Sequence, residues 1–268
     1  QQHRGKTNKT IIIGRERAYH GVGFGGISVG GLPLNKKHFS LLPNVDHICA
    51  THNLEKNAFS KGQPEWGKEL ANDLLRVIEK YGADKIAAFI TEPLAGSTGV
   101  LIPPKGYLER IREICTEHDI LLIFDEVITG FGRLGAPFAA QYFNVEPDLI
   151  TCAKGLTSGT VPMGAVMVKK EIYDAFQDRG PMVIDLFHGY TYSAHPLAAV
   201  ALIATLDVYQ EDELFKHAKE MSSYWEDALH SLRDTKHVID VRNLGLVAGV
   251  EMETRDGKPG VRGYDVFT

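Results

Sequence analysis

The sequence predicts an α/β fold: a mainly parallel sheet covered by helices, with a smaller C-terminal α+β domain just beginning. Three observations carry that reading. Apolar runs of strand length alternate with stretches of helical periodicity through the middle of the chain, as parallel strands joined by helical crossovers require. No internal repeat or low-complexity segment interrupts the alternation. Beyond Arg233 the texture changes to short strands and turns, VIDVRNLGLVAGVEM.

The elements follow in order. Ile86 to Thr91 (IAAFIT) is a continuous apolar run, read as a buried strand. After a loop rich in Gly and Pro, Pro103-Pro104 open a helix from about Lys105 to His118, with Leu108, Ile111 and Cys115 on one face. Ile120 to Phe124 is the next strand. A short helical stretch around Phe138 to Phe143 leads to a third strand, Leu149 to Ala153, and Met163 to Val168 reads as a fourth. His195 to Tyr209 is helical, with Leu197, Val200, Ala201 and Ala204 marking one face. Glu211 to Leu232 is helical too, and its Phe215, Ala218, Met221, Trp225 and Leu229 read as packing surface. The boundary falls near Tyr209, so residues 1–209 form the large domain and 210–268 the start of the small one.

Composition narrows the function. A net charge of -5 argues against a nucleic-acid partner, because phosphate binding favours a basic face. No apolar run approaches the roughly 20 residues that span a bilayer. Three widely spaced cysteines, Cys49, Cys115 and Cys152, form neither a disulfide framework nor a metal-ligand pair and point to a reducing, cytoplasmic setting. His188 and His195 lack a third ligand nearby, so no metal site is expected. The chain starts at Gln1 without a signal peptide and stops at Thr268 without a closing helix, and both ends read as cut.

Each of three buried strands ends in a reactive side chain: Glu92, Asp125 and Lys154. In parallel sheets ligands sit at the carboxyl ends of strands. A lysine amine that condenses with an aldehyde, and a carboxylate that keeps a pyridine nitrogen protonated, are what pyridoxal phosphate requires of a protein. Asp125 suits the nitrogen, and Val127, two residues on in extended chain, points the same way and could pack on the ring. Lys154 lies between Ala153 and Gly155, where nothing bulky blocks a cofactor's approach.

The run Ile123-Phe-Asp-Glu-Val-Ile-Thr-Gly-Phe-Gly-Arg133, followed by Pro147-Asp-Leu-Ile-Thr151 and Ala153-Lys-Gly155, closely resembles the class III (omega) aminotransferase signature, with 29 residues from aspartate to lysine. Tyr19-His20-Gly21, Glu92-Pro93, Pro162-Met-Gly-Ala165 and Thr191-Tyr-Ser-Ala-His-Pro196 match in order. The resemblance implies the fold type I of pyridoxal 5'-phosphate-dependent transferases. It makes Lys154 the lysine that carries the cofactor and moves the proton, and Asp125 the pyridinium partner. Val127 lies on one ring face and Tyr19 on the other. Thr191 donates its hydroxyl to the phosphate of the neighbouring subunit's cofactor, which implies an obligate homodimer, or a homotetramer built from it. Glu92 and His20 lie at the edge of the site.

Two departures refine the reading. Ile128 stands where some members carry glutamine, which speaks against a 4-aminobutyrate or ornithine enzyme. The glycine-rich Gly21–Gly31 stretch and Arg133–Tyr142 instead resemble the branch that moves amino groups from omega-amino acids such as beta-alanine to pyruvate. Ala194 replaces a usual glycine. In the family the main phosphate cup lies upstream of Gln1 and the arginine that binds the substrate carboxylate lies downstream of Thr268. The expected activity is therefore omega-amino acid:pyruvate transamination. The alternatives are another class III enzyme, such as a 4-aminobutyrate or other amine transaminase or an aminomutase, or an inactive truncated dimer scaffold.

Two further motifs lack their context. Gly21-x-Gly23-x-x-Gly26 matches a dinucleotide fingerprint, but Arg15 to His20 separate it from Ile11–Ile13 and Gly30, Gly31 and Pro33 argue against a helix after it. Gly26-Ile-Ser-Val-Gly30 matches a nucleophile elbow and fails for the same reason.

Overall fold

The computed structural model describes residues 1–177 and 186–267. Strand β1 (Ile11–Arg15) is followed by helices α1 (Phe24–Val29) and α2 (Pro33–Lys36), then by β2 (Val45–Ile48). Helices α3 (Leu54–Asn57), α4 (Gly67–Ala71) and α5 (Asp73–Tyr81) lead to β3 (Ile86–Thr91). Helix α6 (Tyr107–Glu117), β4 (Leu121–Asp125), α7 (Ala139–Phe143), β5 (Leu149–Cys152), β6 (Ala165–Val168) and α8 (Lys170–Gln177) complete the first stretch of described chain. Beyond it come α9 (Pro196–Glu211), α10 (Leu214–His230), β7 (Val238–Leu244), β8 (Val247–Met252) and α11 (Val261–Phe267).

Among the described residues, six strands form one sheet in the order β2-β1-β3-β4-β5-β6. The first five run parallel, and β6 pairs antiparallel with β5. The four strands read from the sequence are β3 to β6, and the expected α/β architecture is the one observed. The order reverses at β1, whose neighbours are β2 on one side and β3 on the other. Such a reversal leaves a crevice outside the carboxyl ends of the two strands that diverge from it, and ligands lodge there.

The core lies where the sheet meets α5 and α6. Leu74, Val77 and Ile78 on α5 and Tyr107, Leu108, Ile111, Ile114 and Cys115 on α6 are buried against Ile13, Phe89, Leu122 and Phe124. Their three-to-four-residue spacing turns one stripe of each helix inward. Burying an apolar side chain of this size contributes about 1.5–3 kcal/mol, which makes this face the main support of the sheet.

Several local expectations differ from what the chain adopts. Helix α1 starts within the glycine-rich motif, where the glycines and Pro33 had argued against a helix. It lasts six residues and ends at Gly30, so those residues stop the helix rather than prevent it. Gly26 inside it is needed for contact: a Cβ there would meet the His20 carbonyl oxygen at 2.1 Å. Ser28 is buried in the same helix, donating its hydroxyl to the Phe24 carbonyl at 2.5 Å and accepting from the Leu42 amide at 2.8 Å, so it is no exposed nucleophile. On α9 the apolar face marked in the sequence by Leu197 and Val200 points outward, with Leu197 68% and Val200 64% exposed, while Ala198 and Thr205 are buried. This helix is apolar nearly all round, so periodicity could not choose a side. Residues 261–267 form a helix where no closing helix was expected.

The β7–β8 hairpin is a separate two-stranded sheet, and buried polar contacts tie it to the large sheet's loops. Arg242 donates from Nε and Nη2 to the Gly99 carbonyl (3.1 and 2.7 Å) and from Nε to that of Val100 (3.0 Å). Its Nη1 lies 2.5 Å from Asp240 and 2.7 Å from Glu251, so a guanidinium already bridges the carboxylates that crowd together with His52. Asp240 also accepts from the Phe59 amide at 2.6 Å. No helix of the described residues is long and apolar enough to cross a membrane.

Candidate active site

A cleft of about 1140 Å³ opens outside the carboxyl ends of β1, β3, β4 and β5. Tyr19 and His20 reach it from the turn after β1, Glu92 from the end of β3, Asp125 and Val127 from the end of β4, and Lys154 from the end of β5. The parallel register sets Asp125 beside Thr151, three residues before the lysine, so strand pairing delivers the carboxylate and the amine to one opening. Thr191 is exposed in the segment over the cleft; its neighbours Tyr190, Tyr192 and Ser193 line the wall and Thr191 itself does not. Ile128 and Ser97 also face the opening.

Asp125 is 9% exposed and held from two sides. Its Oδ2 lies 2.7 Å from His20 Nδ1, and its Oδ1 accepts from the Val127 amide at 3.2 Å. With Asp125 ionised, the first contact requires the imidazole proton on Nδ1. The His20 side chain is only 2% exposed, and its Nε2 is buried without a partner among the described residues. The sequence placed His20 at the edge of the site, whereas the structure sets it against the acid. The Val127 contact also changes how that residue arrives. Strand β4 ends at Asp125, and the side chain caps a turn, so Val127 reaches the cleft from turned rather than extended chain.

Lys154 lies two residues past the end of β5, exposed to the cleft, with its backbone in the left-handed region at φ +48°. A non-glycine residue held there carries strain that the surrounding structure must support, and such positions cluster at functional sites. The neighbouring Gly155 serves a purpose the sequence did not indicate: a Cβ there would lie 2.7 Å from Phe131 Cβ. The glycine lets the Phe131 turn close on the lysine turn, and the Tyr209 hydroxyl donates to the Gly155 carbonyl at 2.8 Å.

Two buried glutamates serve the scaffold. Glu126 accepts from the Thr129 hydroxyl (3.0 Å) and from the Ala139 and Ala140 amides (2.5 and 2.8 Å), anchoring the start of α7 beside the site. Glu92 accepts from the Tyr19 amide at 2.9 Å and the Gly96 amide at 3.0 Å. Burial pushes both carboxyls above the usual carboxylate range, against the pull of these donors. Arg15, fully buried at the end of β1, donates to the Glu92 carbonyl at 3.1 Å. The sequence reading passed over it, although a charged residue closing the apolar strand Ile-Ile-Ile-Gly-Arg was the available signal.

The donor set suits pyridoxal 5'-phosphate. An amine and a fixed acid face one opening from adjacent strands, and a buried imidazole already steadies the acid.

Residues 1–262 match the profile of the family Aminotransferase class-III. The omega-aminotransferase of Caulobacter vibrioides is 63% identical over 265 residues, covering 98% of this chain and 60% of that protein. The beta-alanine–pyruvate aminotransferase of Pseudomonas aeruginosa is 49% identical over 266 residues, 98% of this chain and 59% of that one. A solved thermostable (S)-enantioselective omega-transaminase from Thermomicrobium roseum superposes with a TM-score of 0.86 at 35% identity, over 94% of this chain and 55% of its own. The chain thus spans about three-fifths of the length of the curated relatives it matches. With its strand-end lysine and acid in one cleft, and with sequence and fold both matching over nearly the whole of its own length, the chain belongs to the class III aminotransferases.

Proposed function

We propose that this chain is the greater part of a pyridoxal-phosphate-dependent omega-amino acid:pyruvate aminotransferase, which takes the amino group from a beta-alanine-type donor and gives alanine. The observation that carries the reading is the delivery of Lys154 and Asp125 to one cleft by neighbouring strands. The names of the relatives support the choice of donor and acceptor.

When bound, the cofactor supplies an electron sink for the carbanion left as a proton departs from the amine-bearing carbon. Lys154 Nζ would hold the cofactor covalently; displaced from it by the incoming amine, the freed lysine would accept that proton and return it at the neighbouring position. One titratable group serves as base and then as acid. Asp125 keeps the ring nitrogen protonated, and His20 fixes the carboxylate's direction. Val127 and Tyr19 confine the ring, and Glu92 stands behind Tyr19. Thr191 hydrogen-bonds the phosphate of the neighbouring subunit's cofactor. The exposed apolar side chains of α9 and of residues 186–192 support such a dimer. Residues 1–209 act as the cofactor-binding domain and 210–268 as the beginning of a smaller one, a division supported by the separate β7–β8 sheet. Three free cysteines fit a cytoplasmic setting.

The test uses the full-length protein. Adding pyridoxal 5'-phosphate should produce the absorbance near about 410–420 nm general to this cofactor on a lysine. Beta-alanine with pyruvate should yield alanine faster than 4-aminobutyrate does. Absence of the band, or preference for 4-aminobutyrate, overturns the reading.

A further inference from the structure

We propose that Glu92 is a positioning residue whose carboxylate clasps the Tyr19–His20 turn to the loop after β3, and so fixes the cleft wall against which the cofactor ring rests. The assignment of the ring rests on the transaminase reading; the clasp itself rests on geometry. Glu92 is 4% exposed, and each of its oxygens takes a different backbone donor, Tyr19 N at 2.9 Å and Gly96 N at 3.0 Å. Those two amides belong to segments that leave β1 and β3, the strands flanking the reversal in sheet order. The two segments also meet at Arg17, whose Nη2 donates to the Thr98 carbonyl at 3.2 Å and whose carbonyl accepts from the Thr98 hydroxyl at 2.7 Å, and the carboxylate extends that junction to Tyr19 and the cleft wall. Its main chain is fixed as well: the Glu92 carbonyl accepts from Arg15 Nη2 at 3.1 Å and from the Thr91 hydroxyl at 3.0 Å. On its far side the Tyr19–His20 turn meets α1, where Gly26 packs against the His20 carbonyl. A turn pinned on both sides holds Tyr19 in the cleft and His20 against Asp125.

The chemistry demands a carboxylate of this length. Glutamine presents one oxygen and one amino group, so one of the two facing N–H groups would meet another donor. Aspartate keeps the charge but retracts it by one methylene, about 1.5 Å, and cannot span both amides. Stability does not account for the residue. Burial raises the Glu92 carboxyl above the usual range. The folded state therefore binds the proton more readily than the unfolded one, and the ionised group lowers stability as pH rises through that window. A group that serves the fold poorly yet joins two walls of the cleft is suited to placement.

Hydrogen exchange on the full-length protein, measured without cofactor, tests this. In Glu92→Gln the Tyr19 and Gly96 amides should exchange at least about tenfold faster, as expected for losing a hydrogen bond to a charged acceptor. The Ile13 and Phe89 amides should keep their rates and Tm should hold or rise. The dissociation constant for pyridoxal 5'-phosphate should rise about tenfold in step, and Glu92→Asp should recover only part of either effect. Unchanged exchange at Tyr19 and Gly96 overturns the clasp. So does acceleration spread evenly over the strands with a lowered Tm, which marks a merely structural role. If Glu92→Gln does not fold, the wild-type protein carries the test: acidification through the Glu92 pKa must release both amides together while Ile13 stays protected, and separate or absent release overturns the proposal. Protected amides in a protein that makes no alanine would sink the transaminase reading and leave the clasp standing.

Discussion

Lys154 occupies a backbone conformation at φ +48° that an alanine would adopt no more easily, so removing its amine tests chemistry with little change in backbone strain. In the full-length enzyme Lys154→Ala should abolish the visible band of the lysine-bound cofactor and cut turnover by about 10²–10⁴, the range for a positioned proton-transfer group; a variant that keeps more than a tenth of wild-type turnover would remove Lys154 from that role. Ala194 offers the opposite experiment. Its φ of +57° lies in the left-handed region, which a glycine adopts without the steric cost of a Cβ. Ala194→Gly should raise stability by about 0.5 kcal/mol, the relief of strain less the greater freedom of the unfolded glycine, and a thermal melt reads the sign. The glycine expected from the family resemblance matches this backbone. His20 could be named from the sequence but not understood: only the fold shows its imidazole 2.7 Å from Asp125.

At the scale of elements, the hairpin β7–β8 is joined to the large sheet through charge. The His52 imidazole, 3.2 Å away, and the Arg242 guanidinium hold the Glu251 carboxyl at about 2 despite its partial burial. Because that pKa is depressed in the folded state, the stability it contributes is complete above the usual carboxylate range and disappears as pH falls towards 2. Thermal melts of Glu251→Gln and wild type should differ near neutrality and converge as the pH drops to about 2; a difference that persists unchanged would show that Glu251 acts through packing alone. Strands β3, β4 and β5 were legible because each reads as a short apolar run, β3 and β4 largely buried and β5 half-buried. Strand β2 was not, since Val-Asp-His-Ile alternates weakly and only its pairing with β1 makes it a strand. Helix α9 shows the other failure: its apolar residues encircle it, so the sequence identified a helix and left its buried side open.

For the whole molecule, that exposed side has a consequence. Leu197, Val200 and Ile203 leave a run of apolar surface along α9, and a surface of this kind marks a protein interface. If it is the face of the proposed dimer, Leu197→Asp with Val200→Asp should convert the full-length protein to monomers in sedimentation and lower its affinity for the cofactor; an unaltered oligomeric state would place any interface elsewhere. The sequence by itself determined the class of fold, the strands that lead into Glu92, Asp125 and Lys154, and the candidate pair, Lys154 and Asp125. Apolar runs and strand-end charges are local, and a lysine amine and a carboxylate have the same chemistry wherever they lie. Tertiary structure decided what each charge faces. It turned Glu92 inward to bind two backbone amides, brought His20 behind Asp125, and gave Arg15 a buried place beneath the crevice. Those outcomes depend on pairing between segments more than 70 residues apart, a distance in the chain that no local pattern encodes.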